Sequence, residues 1–450
     1  MKRLMNAMVL LIAVTLITLG GCKKEEPTQS SQNENSVNLA RGAHAKTFNS
    51  EVAQKWMKMQ MQIMRTTGGI SNLAFVRPFA YSGVTFYQSL IPGMPSYQTL
   101  SGQLGGLPDM PQVESNLEYY WPASANAAMA SFLKKMYPTA SAANVFSVDS
   151  LEAALKTQYS ANASTDAISR SVDYGKAVAQ IVFDWSATDG ANHANDPYVS
   201  PVGPQYWVSL ATPAAAPLGP YWGNIRVMVS GSGNNAQPPA PPVYSEVPGS
   251  DFYNMVKQVY DVSQTLTQAQ IDQGMYWRDV PGLSTPGHYL SILEQVLEKD
   301  NSSLEIAAAA YALSGITVYD CSISSWQTKY IYNLVRPITY IRNVLLHTTW
   351  SPLLTTPGHP EYSSAHASLS FADAVALESI FGANYSFTDH SYDYLGFPSR
   401  SFSSFQAFGE DAGNSRLYAG IHYQLSIDRS FVQGRTIAQN IINTLVLKKP

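Results

Sequence analysis

The chain has 450 residues, 45% of them hydrophobic and 13% charged, with a net charge of −4 and 27 tyrosines. That is apolar material for one large core or two ordinary ones, and the slightly acidic balance excludes the global basic field that nucleic-acid binding uses. Many polar-tipped aromatics beside few charges fit a densely packed domain.

The N-terminus reads MKRLMNAMVLLIAVTLITLGGCKKEE. Lys2 and Arg3 form a basic start, and residues 8–19 form an apolar run too short for a comfortable membrane span. The run closes on Leu19-Gly20-Gly21-Cys22, which resembles a bacterial lipobox. Residues 1–22 are therefore expected to be a lipoprotein signal peptide with Cys22 as the lipidated residue; an ordinary anchor helix is the alternative reading. Residues 23–42 read as a flexible polar tether and 43–450 as the folded domain. The expected location is the cell envelope, lipid-anchored at the outer membrane and facing the periplasm or the surface. After Cys22 only Cys321 remains, so no internal disulfide is expected, and its apolar helical surroundings predict a buried, inert thiol.

Helical periodicity dominates the chain beyond the tether. Helices are predicted over 50–65, 117–137, 148–158 and 166–186. Residues 197–249 change character, with Pro and Gly too dense for long helices, and predict a loop-rich excursion that is functional or covers the core. Helices resume at Phe252, a loop is predicted over 276–288, and further helices over 288–298, 302–335, 366–381, 404–421 and 427–447. Strand signals are sparse, so the fold reads as all-α.

Three segments carry polar groups that a helical core does not need. In KYIYNLVRP, Lys329 and Arg336 are seven residues apart, two helical turns, and are expected to share a face. Two buried cations on one face repel unless an anion joins them; two solvated helix-face charges are the alternative. In TPGHPEYSSAHASLSF, Ser364, Ala365 and His366 stand at the mouth of a predicted helix. The free N–H groups and positive dipole end of such a terminus suit an oxyanion, while a plain N-cap serine would look the same. In SRLYAGIHYQLSID, Arg416 and His422 are six apart. The arginine offers a planar donor fork and the histidine a nucleophile or metal ligand, or else the pair is a structural arginine and a core histidine. Together the segments hold one Lys, two Arg, a Ser, a helix N-terminus and two His, an inventory that fits a trianion such as phosphate or vanadate.

The order K-x6-R-P, S-x-H, S-R-x5-H resembles the signature of the vanadium-dependent haloperoxidase and type 2 phosphatidic acid phosphatase (PAP2) superfamily. Several stretches are similar to its soluble haloperoxidase-like branch: YWRDVPGLSTPGHYLSI at 276–292, the long Asp-, Trp- and Lys-bearing stretch at 311–342, TPGHPEYSSAH, and VGPQYWVSLATPAAAPLGPYWGNIR at 202–226. The resemblance covers the chain from about residue 55 onward and implies an all-α helical bundle. Two antiparallel halves would pack together, with the site among the C-terminal helices (motifs 329–428) and the Pro/Gly-rich excursion wrapped outside. It implies that Lys329, Arg336 and Arg416 bind equatorial oxygens, with Ser364 and the backbone N–H of Ala365 completing the cradle. His366 would be the acid–base group at the apical oxygen, His422 the ligand of vanadium or the nucleophile toward phosphorus, and Asp279 the residue orienting one arginine. The position of His359 would face the halide, where a histidine resembles the bromoperoxidases. Ala365 replaces the usual glycine and Ser363 the usual proline. Ser426 stands where the phosphatase signature has an Asp, which leaves His422 without an evident partner.

The implied activity is vanadate-dependent oxidation of halide, bromide or iodide favoured, by hydrogen peroxide. An alternative is a phosphatase acting on phosphomonoesters through a phosphohistidine, with no cofactor. A third is a non-catalytic anion-binding lipoprotein. Expected partners are small molecules and, through the anchor alone, a membrane.

Overall fold

The computed structural model describes residues 43–279 and 283–449. The leader, Cys22 and the tether lie outside the described residues. Thirteen α-helices occur among the described residues, with little sheet, in agreement with the all-α expectation.

The N-terminal half holds α1 (Glu51–Thr66), α2 (Val76–Gln88), α3 (Trp121–Met136), α4 (Ala142–Tyr159) and α5 (Thr165–Ser186). The C-terminal half holds α6 (Asp251–Gln264), α7 (Gln268–Tyr276), α8 (Thr285–Lys299), α9 (Leu304–Tyr332), α10 (Pro337–Asn343), α11 (Ala365–Phe381), α12 (Phe405–Tyr418) and α13 (Gln424–Thr444). A short antiparallel hairpin, β1 (Phe387–Asp389) with β2 (Arg400–Phe402), lies between α11 and α12. Serine and threonine side chains cap the starts of α4, α5, α6, α7, α9 and α12, each accepting a hydrogen bond from a first-turn N–H.

Helix α9 is the axis of the fold. It is long and apolar enough to cross a membrane, yet 94% of its most apolar window is buried inside the protein, so it is a core helix. It packs against α2 on one side and α11 on the other, and α11 in turn against α12 and α13. The α2–α9 crossing is tight because glycines face backbone. A Cβ on Gly83 would stand 2.5 Å from the Tyr311 carbonyl oxygen, and one on Gly315 would stand 2.8 Å from Ala80 Cα. Sequence pattern alone did not assign α2, whose Pro78 and Gly83 argue against a helix. Pro78 sits in the first turn, where a missing N–H costs nothing, and Gly83 is what lets α9 approach.

Two boundaries move, with consequences for the site. The helix expected over 302–335 stops at Tyr332, because Asn333 takes the left-handed conformation, φ +47°. Lys329 and Arg336 therefore do not share a helical face; the turn at Asn333 and the start of α10 bring them together. The helix expected over 404–421 stops at Tyr418, which leaves His422 in the link before α13.

The excursion at 197–249 contains a single 3-10 turn, Trp222–Asn224, among its described residues. It is tied to α9 at several points. Met228 and Val229 donate N–H bonds of 2.7 and 3.0 Å to the buried Asp320 carboxylate. Trp222 donates through Nε1 to Ser322 Oγ at 3.0 Å. Trp207 N bonds Asn333 O at 2.7 Å and Val335 N bonds Gln205 O at 2.9 Å, so the excursion also fixes the segment that delivers Arg336. Cys321 is buried and free, its thiol pushed up to about 12 by burial, as its surroundings predict.

On α8, His288 Nε2 lies 2.7 Å from Asp389 Oδ2 of β1, both side chains fully buried. Burial pushes Asp389 up, but the His288 ring and the hydrogen bonds from Ser391 win and hold it at about 2, below its usual 3.8. A carboxyl depressed on folding contributes stability above its unfolded value, and that stability is lost as pH falls through the folded value. Asp389→Asn should remove about 2 kcal/mol of pH-dependent stability between those limits. Chemical denaturation of both proteins at neutral and acidic pH checks this; parallel pH profiles would refute it.

Candidate active site

His422 is placed by the link between α12 and α13, and its ring is buried. Its Nδ1 donates to Glu361 Oε1 at 2.7 Å. The same oxygen accepts from Tyr423 N at 3.1 Å, and Oε2 accepts from Ser426 Oγ at 2.8 Å. The missing aspartate is thereby accounted for: Glu361 orients the histidine, and Ser426 orients Glu361. With its proton held on Nδ1, His422 carries its lone pair on Nε2, the atom a ligand or nucleophile needs.

Arg336 is the N-cap residue of α10. Its Nε donates to His359 O at 3.0 Å and its Nη1 to Ile421 O at 2.8 Å, with His422 Nε2 3.2 Å from the same nitrogen. Its Nη2 lies 3.1 Å from His359 Nδ1. A guanidinium can only donate, so His359 accepts at Nδ1 and carries its proton on Nε2. Four of the five guanidinium donors are thus engaged.

Lys329 departs from its expected role. Its ammonium donates to the carbonyls of Pro360 at 3.0 Å and Glu361 at 3.1 Å, and also to that of Ser363. An ammonium has three N–H groups, and all three bind the loop backbone instead of pointing at a ligand. Lys329 holds the loop that carries Glu361 and Ser364, and its charge reaches the site through the field alone.

On the opposite wall, Asp279 Oδ2 lies 2.5 Å from His366 Nε2 and also accepts from Thr285 Oγ1. Arg416, in the last turn of α12, donates through Nε to Ser415 Oγ at 3.1 Å and through Nη2 to Gly274 O at 3.4 Å, with Nη1 3.3 Å from His366 Nε2. Asp279 was expected to orient an arginine. It holds the acid–base candidate His366 instead, and Arg416 is placed by Ser415 and Gly274.

Ser364 is the N-cap of α11 but makes no capping hydrogen bond. Its Oγ is buried without a partner among the described residues, while its N–H is taken by Ser430 Oγ at 2.9 Å. Ala365 opens the helix in ordinary helical conformation, absent from the positive-φ residues, so alanine meets no strain where the superfamily has glycine. Its N–H is one of the donors that a helix start leaves free. A cavity of about 530 Å³ is bounded by His359, Ala365, His366, Arg416 and His422. His359 is 8% exposed, its ring centre 5.1 Å from that of Trp326.

Electrostatically the site is short of negative charge. Lys329, Arg336 and Arg416 are three buried cations against the two carboxylates of Glu361 and Asp279. Burial, then Arg336, push Lys329 well below its ordinary value, and burial brings Arg336 and Arg416 down to about 10. Burial, then the cations, hold His422 and His359 well below the usual histidine range, so both are neutral. Burial lowers His366 against the pull of Asp279. Each direction says that charge is costly here and that an entering anion would stabilise it. The residues fit an oxyanion: a free helix N–H, a cation and an imidazole lone pair line one cavity, and the orphaned Ser364 hydroxyl stands one residue before that N–H.

Residues 309–447 match the family described as the VCPO second helical-bundle domain. A bacterial vanadium-dependent iodoperoxidase structure is similar over 90% of this chain and 98% of its own, with a TM-score of 0.80 and 29% identity. The chain is thus similar to the vanadium haloperoxidases in fold over nearly its whole length, and in its C-terminal part to their second helical-bundle domain. Apo-type and holo-type structures of a bacterial vanadium-dependent chloroperoxidase share the fold, with TM-scores of 0.64 and 0.65 at 15% and 16% identity. They cover 84% and 85% of this chain and 96% and 95% of their own. Comparison with curated proteins finds no match.

Every residue named at the sequence level for the superfamily site comes to this region, although Lys329 and Asp279 engage partners other than those expected. Sequence reasoning gave no role to Glu361 or Thr285. A lone glutamate in an apolar stretch beside a histidine-bearing motif was the available signal for the first; a hydroxyl in a helix's first turn offers none for the second.

Proposed function

We propose that the chain is a vanadate-dependent haloperoxidase that oxidises halide, iodide or bromide, with hydrogen peroxide. The observation that carries this reading is the buried, cation-rich cradle with its unpartnered Ser364 hydroxyl and Glu361-oriented His422, on a chain 29% identical to an iodoperoxidase over nearly its whole length. The net reaction, X⁻ + H₂O₂ + H⁺ → HOX + H₂O, consumes one proton.

Vanadate would be held by His422 Nε2, the Arg416 fork, the remaining free N–H of Arg336, Ser364 Oγ and the Ala365 N–H. When bound, it supplies a Lewis-acid centre for activating peroxide toward halide. Glu361 keeps the His422 proton on Nδ1, so that Nε2 stays a donor of its lone pair. The His366–Asp279 pair stores the proton that the net reaction takes up. His359 and Trp326 border the cavity where halide would enter, and the neutral His359 offers Nε2–H to an anion. The lipobox-like leader ending at Cys22 supports placing this chemistry in the cell envelope.

The deciding test is a paired assay. One portion is loaded with orthovanadate and assayed for iodide and bromide oxidation by peroxide, the other kept vanadate-free on a panel of phosphomonoesters. Vanadate-dependent halide oxidation supports the proposal. Phosphate release that vanadate inhibits would replace it with the phosphatase reading, and silence in both would leave an anion binder.

Ser364→Ala separates the cradle from the scaffold. Deleting an unsatisfied buried hydroxyl removes a desolvation cost in the free protein but a donor in the bound one. The variant should melt at the wild-type temperature or above, while its orthovanadate affinity falls about tenfold, one hydrogen bond to a charged group. Calorimetry and equilibrium titration check both; unchanged affinity would remove Ser364 from the cradle.

A further inference from the structure

The cavity wall carries a second guanidinium that the proposed chemistry does not use. Arg278 is half-buried and lines the same cavity as His366, Arg416 and His422. Its Cζ lies 4.9 Å from the centre of the Phe397 ring. Among the described residues it meets no carboxylate at ion-pair distance. Arg416 differs, being tied to Ser415, Gly274 and the His366 ring. Asp279 is the one carboxylate among the residues lining the cavity, and His366 and Thr285 hold it. The field that a small ion meets on entering is therefore that of an uncompensated cation, backed by Lys329 and Arg336 in the buried layer behind.

We propose that Arg278 is the anion-steering residue of this cavity. It raises the local concentration of halide, and of the oxyanion during loading, without touching the reacting atoms. The proposal rests on the haloperoxidase reading of the same site. A cleft with low-dielectric walls focuses the field of a charge on its rim, which raises the encounter rate of counter-ions. Hydrogen peroxide is neutral and feels none of this. Removing the charge should therefore raise the KM for halide and leave the KM for peroxide and the kcat at saturating halide unchanged. Salt should erase the difference, because the Debye length falls from about 10 Å at 0.1 M to about 3 Å at 1 M.

A packing role on Phe397 would give another pattern. Arg278→Lys keeps the charge and loses the planar fork, whereas Arg278→Gln loses the charge. Both variants and wild type are followed in two arms, each at low and at high ionic strength. One is the association rate of orthovanadate with the vanadate-free protein by stopped-flow tryptophan fluorescence; the other is halide and peroxide KM after loading. Arg278→Gln should slow vanadate association and raise halide KM by roughly three- to tenfold at low salt, one charge's part of a steering field, with Arg278→Lys close to wild type. Equal rates for Gln and wild type at low salt, or Lys falling as far as Gln, would overturn the proposal. A wild type that binds vanadate yet oxidises no halide sinks the haloperoxidase reading while the association rates still judge Arg278. A wild type that binds no vanadate sinks both.

Discussion

Replacing His422 by alanine is expected to lower vanadate-dependent halide oxidation by about a thousandfold or more, the loss seen when a group that holds the reacting centre is removed. The alanine variant also strips Glu361 of its closest partner, leaving its buried Oε1 with the Tyr423 N–H alone. A drop in activity could then come from unfolding. His422→Asn meets that objection, because its side-chain amide can still donate toward Glu361 while offering no nitrogen lone pair at the Nε2 position. Both variants should lose vanadate binding in an equilibrium titration, and the asparagine protein should keep most of the wild-type melting temperature. If the folded asparagine variant binds vanadate and turns over halide near the wild-type level, His422 is not the ligand and the site has been misread.

The second large effect is expected at Glu361. Its carboxylate is the negative centre between Arg336, Lys329 and His422, and burial pushes its pKa up against the pull of the two cations. Glu361→Gln removes one partner of a buried ion cluster, and such changes destabilise by about 3–5 kcal/mol because they leave buried charge uncompensated. Two opposed effects then act on ligands. Neutralising the carboxylate makes the site more positive and favours any anion, while losing the Nδ1 anchor loosens His422 and lowers its basicity, a change that commonly weakens a metal site by about 10–100-fold. Vanadate, which depends on Nε2, should bind more weakly. Sulfate, which depends on charge alone, should bind as well as before or better and recover part of the lost melting temperature. Differential scanning calorimetry with each anion resolves the two effects. Parallel weakening of vanadate and sulfate would assign Glu361 to structure alone.

The elements that were readable in the sequence are those whose information is local. The helices at 51–66 and 165–186 announce themselves through apolar periodicity, because a helix repeats its burial every few residues, and the core helix ending at Tyr332 through a long apolar run. The Pro- and Gly-dense stretch before residue 250 is non-helical for equally local reasons. The residue types at the site were likewise legible: two histidines, two arginines, a lysine and a serine in low-charge surroundings imply a buried anion.

Partnership was not legible. Glu361 meets His422 across 61 residues, and Asp279 meets His366 across 87, separations that only the packing of α8, α11, α12 and α13 closes. The seven-residue spacing of Lys329 and Arg336 suggested a shared helical face, but the left-handed Asn333 ends the helix between them. What directs Lys329 is the crowd of carbonyls at 360–363, which a buried ammonium must satisfy before it can serve anything else. Helix α2 forms against its own Pro and Gly because Gly83 admits the backbone of α9. The sequence by itself determined which chemical groups would be present and most of the segments that are helical, α2 excepted. The tertiary structure decided which group holds which, because hydrogen-bond satisfaction in a dry interior is settled between neighbours in space.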